Sequence, residues 1–162
     1  MFDELQLLIM AYSQARQSPD PSNQNGAIMA SHDGTICGRG HNGFPPGIIP
    51  TVEQLNDRNW KLSHIEHAER AALFNVASWR RTGDLILVCP WFACDACARA
   101  IVMCGVRKVI GHKQRMDTTP ERWQASVDAG LSILRAGKVE LRFVDHVFNI
   151  EPIKANGELW VP

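Results

Sequence analysis

The sequence predicts an α/β fold of three layers, with a mixed sheet of about five strands covered by helices on both faces. Two observations carry this. An early hairpin, Gly26–Ala30 and Thr35–His41 around the turn His32-Asp33-Gly34, is followed by alternating helical and strand-like segments. Leu85-Ile86-Leu87-Val88 is a short, wholly apolar strand of the parallel-sheet kind. The 162 residues suit a single domain, 1–162, with one sizeable core.

Each element has its own signal. Residues 2–17 place Phe2, Leu5, Leu8, Ile9 and Tyr12 at helical spacing, and Pro19 and Pro21 stop that helix. After the hairpin, Asn42-Gly43-Phe44-Pro45-Pro46-Gly47 reads as a loop, because its glycines and prolines break regular structure. Residues 51–63 are polar and mixed and read as one short helix. From His67 to Arg81 the spacing of Ala68, Ala71, Ala72, Phe74, Val76 and Trp79 predicts a helix ended by Gly83. Strand 85–88 follows, then a loop at Pro90–Ala93 and a helix at Cys94–Cys104 stopped by Gly105. Lys108-Val109-Ile110 is a strand. Glu121–Ala136 is a helix opened by Pro120 and closed by Gly137, and Val139–Val144 is the last strand. The segment from His146 to Pro162 reads as irregular.

Composition narrows the function. With 45% hydrophobic and 21% charged residues, the chain is not disordered. Its apolar runs fall far short of the ~20 residues of a membrane helix, so no membrane partner is expected. Seventeen basic residues balance seventeen acidic ones. That balance lacks the positive field of a dedicated polynucleotide binder, so stable nucleic-acid binding is not expected. Met1-Phe2-Asp3-Glu4 opens with acids rather than a basic leader, which points to the cytoplasm. Five cysteines, an odd number, argue for free thiols rather than a disulfide framework, with some of them holding metal.

Two segments carry chemistry: His67-Ala68-Glu69 and Cys94-Asp95-Ala96-Cys97, each at a helix start. Cys94 and Cys97 share one helical turn, so both sulfurs can reach one ion. Exposed N–H groups at a helix start favour thiolate. With His67 as third ligand, a zinc ion keeps one position open, the catalytic form of such a site. Glu69, two residues on, points elsewhere and is placed to move protons. Alone, C-x-x-C also fits a redox pair or core residues, and H-x-E also fits a surface histidine and a solvated glutamate. Together they favour catalytic zinc.

The chain here resembles the deoxycytidylate (dCMP) deaminase family, within the cytidine deaminase-like zinc superfamily. Pro21-Ser22-Asn23-Gln24-Asn25-Gly26-Ala27-Ile28 is similar to the family's D-P-x-x-Q-V-G-A-V strand. Gly40-His41-Asn42-Gly43-Phe44-Pro45 is similar to G-Y-N-G-F-P, and His67–Ala72 to H-A-E-x-N-A. Phe92–Arg99 is similar to F-P-C-x-x-C-A-K/R, and Gly105–Ile110 to the following G-I-K-x-V-I strand. The resemblance implies a cytidine deaminase-like fold and hydrolytic deamination of a cytosine mononucleotide, dCMP or a 5-substituted dCMP. It implies zinc on His67, Cys94 and Cys97, attack of zinc-bound hydroxide on C4, and Glu69 as proton shuttle. It also implies substrate contacts at Asn25, Asn42, Phe44, Ala68, Trp91 and Phe92, and a homo-oligomer.

Some positions depart from the family pattern. Ala93 replaces the proline before the first cysteine, Pro46 stands where relatives carry arginine, and Asn25 replaces an apolar residue. Asn42 has a second reading, as a residue that only stabilises the turn before Gly43. The competing functions are deamination of another amino-heterocycle (nucleoside, free base or polynucleotide) and non-catalytic zinc or nucleotide binding. The remaining candidates read as structural. Cys37, Cys89 and Cys104 are expected as buried small hydrophobes, and His32, His112 and His146 as surface or loop residues. Lys113 and Arg115, at a strand end where ligands collect in open α/β sheets, are expected in a solvated basic loop, with a 5′-phosphate contact as the alternative, and Trp60, Trp79 and Trp123 as core or interface.

Overall fold

A computed structural model describes residues 3–76 and 85–162. Helix α1 (Glu4–Ala15) starts at Asp3, whose carboxylate accepts the N–H groups of Leu5 and Gln6. Strands β1 (Gly26–Ser31) and β2 (Ile36–His41) form the expected hairpin. Two short helices follow, α2 (Val52–Asn56) and α3 (Arg58–His64), where one was expected. The break is at Asp57, which ends the first and caps the second by accepting from the Asn59 and Trp60 N–H groups. Helix α4 is described over Ala68–Phe74. It ends earlier than expected, capped at Asn75 with Val76 outside the helix; the remainder of the expected helix from residue 77, Trp79 included, and its stop at Gly83 lie outside the described residues, as does Phe2.

Strand β3 (Leu85–Val88), helix α5 (Asp95–Met103) and strand β4 (Lys108–His112) come next. Helices α6 (Lys113–Asp117) and α7 (Glu121–Ala136) precede strand β5 (Glu140–Val144). The sheet order is β2-β1-β3-β4-β5. β1 pairs antiparallel with β2 and with β3, and β3, β4 and β5 run parallel. The mixed five-stranded sheet is therefore as expected, with β3 at the change of direction.

Alternation along the strands separates two cores. Ala27, Met29, Leu87 and Val109 face α4, α5 and α7 with Ala72, Ile101 and Leu134. Ile28, Ala30, Ile86, Val88 and Ile110 face α1 through Leu7, Leu8 and Ala11. Glycine lets the layers approach where it matters for the site. A Cβ on Gly40 would collide with the α4 backbone at Ala72, and one on Gly130 with the Ala93 carbonyl. The first contact seats α4 against β2, and the second seats the start of α5 against α7.

Three expectations are corrected. The segment 146–162 is not irregular throughout: β6 (Ile153–Ala155) and β7 (Glu158–Trp160) form a small hairpin. Ile153 and Trp160 pack with Tyr12, so burial of apolar residues at short intervals drives it. His112 is not a surface residue but buried, between Tyr12 Oη at 2.5 Å from Nδ1 and the His146 carbonyl at 2.8 Å from Nε2. Lys113 and Arg115 lie on α6, not in a loop, and Arg115 is only 1% exposed. Cys89 is buried as expected, whereas Cys37 and Cys104 are half-buried.

Candidate functional site

The two helix starts converge. His67 is the N-cap of α4, in extended conformation, with its ring free of capping duty. Its N–H donates to Glu66 Oε1, and the Glu66 backbone exchanges two hydrogen bonds with Gly43. The 42–47 loop thus fixes the residue before the histidine. Cys94 is the N-cap of α5, and its sulfur accepts the Cys97 N–H at 3.4 Å. His67 Nδ1 lies 3.4 Å from both Cys94 Sγ and Cys97 Sγ. All three atoms fall within 4.8 Å of one another, in the one such cluster among the described residues. A tetrahedral zinc bound by nitrogen and sulfur sets its N and S ligands about 3.5 Å apart. The donor set fits that ion in spacing and in chemistry.

The local field supports the same assignment. The hydrogen bond from Cys97, with His67 beside it, holds the Cys94 thiol down at about 4 despite burial. Cys97 is pushed up by its hydrogen bond to Cys94 and by burial. Burial opposes a charged His67, but the Cys94 and Glu69 charges carry it up to about 9. The site thus sets one thiolate against an imidazolium, whose ring proton a metal ion would displace. Glu69 is 3% exposed, and burial pushes its carboxyl up to about 7.

Glu69 opens on a cavity of about 200 Å³ that His67 and Cys94 also line. Of the residues expected at the substrate, Asn25, Asn42, Ala68, Trp91 and Phe92 line it. Phe44 does not; it packs on Trp60, with ring centroids 5.7 Å apart. Asn42 spends its amide on backbone: Oδ1 accepts the Asn25 N–H and Nδ2 donates to the Asn23 carbonyl, both at 2.7 Å. It braces the 23–25 segment, a longer reach than the turn before Gly43. Asn25 Nδ2 donates to the Trp91 carbonyl at 2.7 Å, while Oδ1 has no protein partner among the described residues.

Several wall residues escaped the sequence reading. Trp123, expected in core or interface, stands edge-on to both His67 and Trp91 in the cavity wall. Arg58, Lys61 and Arg122 bring three cations to the same cavity. Lys61 is buried and paired with Asp20 at 2.8 Å. Asp20 Oδ1 also accepts the Ser22 and Asn23 N–H groups. No sequence signal marks these residues, because Asp20 and Lys61 are 41 positions apart.

Residues 2–113 match the cytidine and deoxycytidylate deaminase zinc-binding region. The human deoxycytidylate deaminase is 33% identical over 110 residues, 64% of this chain and 60% of that protein. An uncharacterised deaminase of Aliivibrio fischeri is 28% identical over 78% of this chain and 83% of its own. The dCMP deaminase of cyanophage S-TIM5, solved with dCMP and dUMP, superposes with a TM-score of 0.63 over 89% of this chain and 99% of its own. At 24% identity it shows a shared fold. The chain spans about 60% of the length of the human relative.

Proposed function

The chain belongs to the cytidine and deoxycytidylate deaminase family, defined by its zinc-binding region, and on that premise we propose that it hydrolyses the 4-amino group of a cytosine mononucleotide, dCMP to dUMP. One observation carries the reading: a cavity lined by the exposed arginines Arg58 and Arg122 opens on buried Glu69 beside the His67–Cys94–Cys97 triad. A phosphate monoester fits the cations, and the aromatic walls Trp91 and Trp123 fit a base. The human relative is named for this activity, and the phage protein was solved with dCMP and dUMP.

Zinc held by His67, Cys94 and Cys97 supplies a Lewis acid that lowers the pKa of water toward about 7. Glu69 takes a proton from the attacking water and passes it to N3 of the base. It then delivers the second proton of that water to N4. The C4–O bond forms, the C4–N4 bond breaks, and ammonia leaves uracil behind. A carboxyl near 7 can both accept and return protons at neutral pH. Ala68 follows the histidine ligand at the cavity wall, and Phe92 closes that wall against Phe143. Asn25 Oδ1 offers an acceptor for a base amine or a sugar hydroxyl.

The same reading covers the whole of 1–162 as one domain acting on a free nucleotide, not on a nucleic-acid strand. It places the protein in the cytoplasm, where five free cysteines stay reduced. Among the described residues no helix is long and apolar enough to cross a membrane. Exposed Ile49, Val52, Phe74 and Met103 suit contact between copies of the chain. The test is ammonia release from dCMP, 5-methyl-dCMP, cytidine and single-stranded DNA at matched concentrations. We expect the mononucleotides to lead, and preference for the strand overturns the reading.

A further inference from the structure

Arg115 is a buried cation with no carboxylate partner among the described residues. Burying an unpaired charge is costly, so the contacts it does make carry weight. One guanidinium nitrogen donates to Thr118 Oγ1 at 2.9 Å and another to Asn23 Oδ1 at 3.2 Å. Its Cζ sits over the Trp91 ring, 4.7 Å from the centroid. Asn23 and Trp91 both line the cavity. Arg115 itself does not reach it.

Asn23 Oδ1 has a second donor, the Asn156 N–H at 2.9 Å, from the turn between β6 and β7. Asn156 Nδ2 in turn donates to the Thr118 carbonyl. Residues 22–24 run beside this hairpin. Gln24 N–H donates to the Lys154 carbonyl, Lys154 N–H to Gln24 Oε1, and Gly157 N–H to the Ser22 carbonyl. Arg115, Thr118 and Asn156 all lie beyond the 2–113 segment that defines the family.

We infer that Arg115 is a positioning residue for substrate, which holds Asn23 at the point where the C-terminal hairpin also meets it and backs Trp91, and that its loss weakens nucleotide binding rather than proton transfer. This rests on the deaminase reading above. In the full-length zinc protein, Arg115→Met keeps the bulk and removes every donor. It should raise KM for dCMP about tenfold, the size expected for losing charged hydrogen bonds. The kcat should stay within about twofold and zinc content should be unchanged, the pattern of lost uniform binding. Amide hydrogen exchange in residues 22–25 and 154–157 should speed up. Asn156 sits at φ 55°, so Asn156→Gly keeps the turn while removing its tie to Thr118. It should move KM and exchange the same way, by less, and it carries the test where Arg115→Met does not fold.

An unchanged KM with unchanged exchange overturns the inference, and so does a kcat loss at constant KM. Wild-type protein that deaminates no cytosine nucleotide defeats the functional reading instead. The exchange comparison then decides Arg115 by itself: unchanged exchange in residues 22–25 overturns its role.

Discussion

The metal triad and the wall opposite it are built in different ways. His67, Cys94 and Cys97 come from two helix starts, and each ligand is fixed by its own turn: Cys94 by the Cys97 N–H, His67 by Glu66. The wall comes from separate stretches of chain, around Asp20–Asn25 and Lys61, backed from outside the cavity by Arg115 and Asn156 and joined by hydrogen bonds across up to 133 positions. On the proposed reading, chemistry depends on local geometry, and selection of substrate on long-range assembly. Damage to the triad should abolish the reaction, whereas damage to the wall should shift affinity or stability.

The largest effect should come from the triad. Cys97→Ala removes a fully buried ligand, and zinc and activity should vanish together; full zinc occupancy in that variant would falsify the metal assignment. Acid should act through the same residues, because cysteine and histidine ligands bind metal only when deprotonated. Zinc should leave as pH falls, and metal analysis after dialysis across a pH series checks this.

Glu69→Gln comes next. It keeps shape and zinc but cannot accept a proton, and turnover should drop by about 10²–10⁴-fold. A near-normal rate with zinc in place would mean that another group moves the proton, and the line between triad and wall would need redrawing.

On the wall side, Arg58→Ala and Arg122→Ala should each raise KM for dCMP several-fold and leave deoxycytidine little changed. Both arginines are exposed at the cavity, so each contributes on the order of 1 kcal/mol or less. Equal effects on nucleotide and nucleoside would remove the phosphate from this region. Asn42→Ala sharpens the contrast further. It strips the Asn25 N–H and the Asn23 carbonyl of their partners, which should cost about 1–3 kcal/mol of stability. Thermal denaturation should register that loss with zinc content intact. A kcat collapse at unchanged stability would instead make Asn42 part of the chemistry.

The corrections show where sequence reasoning stops. Arg115, five residues past the strand Lys108-Val109-Ile110, reads as a solvated basic residue, since no acidic residue stands at helical spacing from it. Its partners are Thr118 in the next turn, Asn23, 92 positions away, and the face of Trp91. His112 likewise looked exposed until Tyr12, 100 positions earlier, supplied its hydrogen bond. Phe44 was placed at the substrate through its loop motif, and the fold turned it onto Trp60. The loop does serve the site, but through backbone bonds between Gly43 and Glu66 that motif reading does not distinguish from substrate contact.

The amino-acid sequence by itself determined the strand and helix alternation, the hairpin, and the H-x-E and C-x-x-C donors. Those features rest on periodicity and on spacings within one helical turn, which local stereochemistry converts directly into geometry. Only the tertiary structure decided the cavity wall and its backing: the buried Asp20–Lys61 pair, the arginines at the cavity, Trp123 beside His67, and the C-terminal hairpin against Asn23. A polar or charged residue looks alike in sequence whether water or a distant partner satisfies it. Burial, which only packing creates, makes the choice between them.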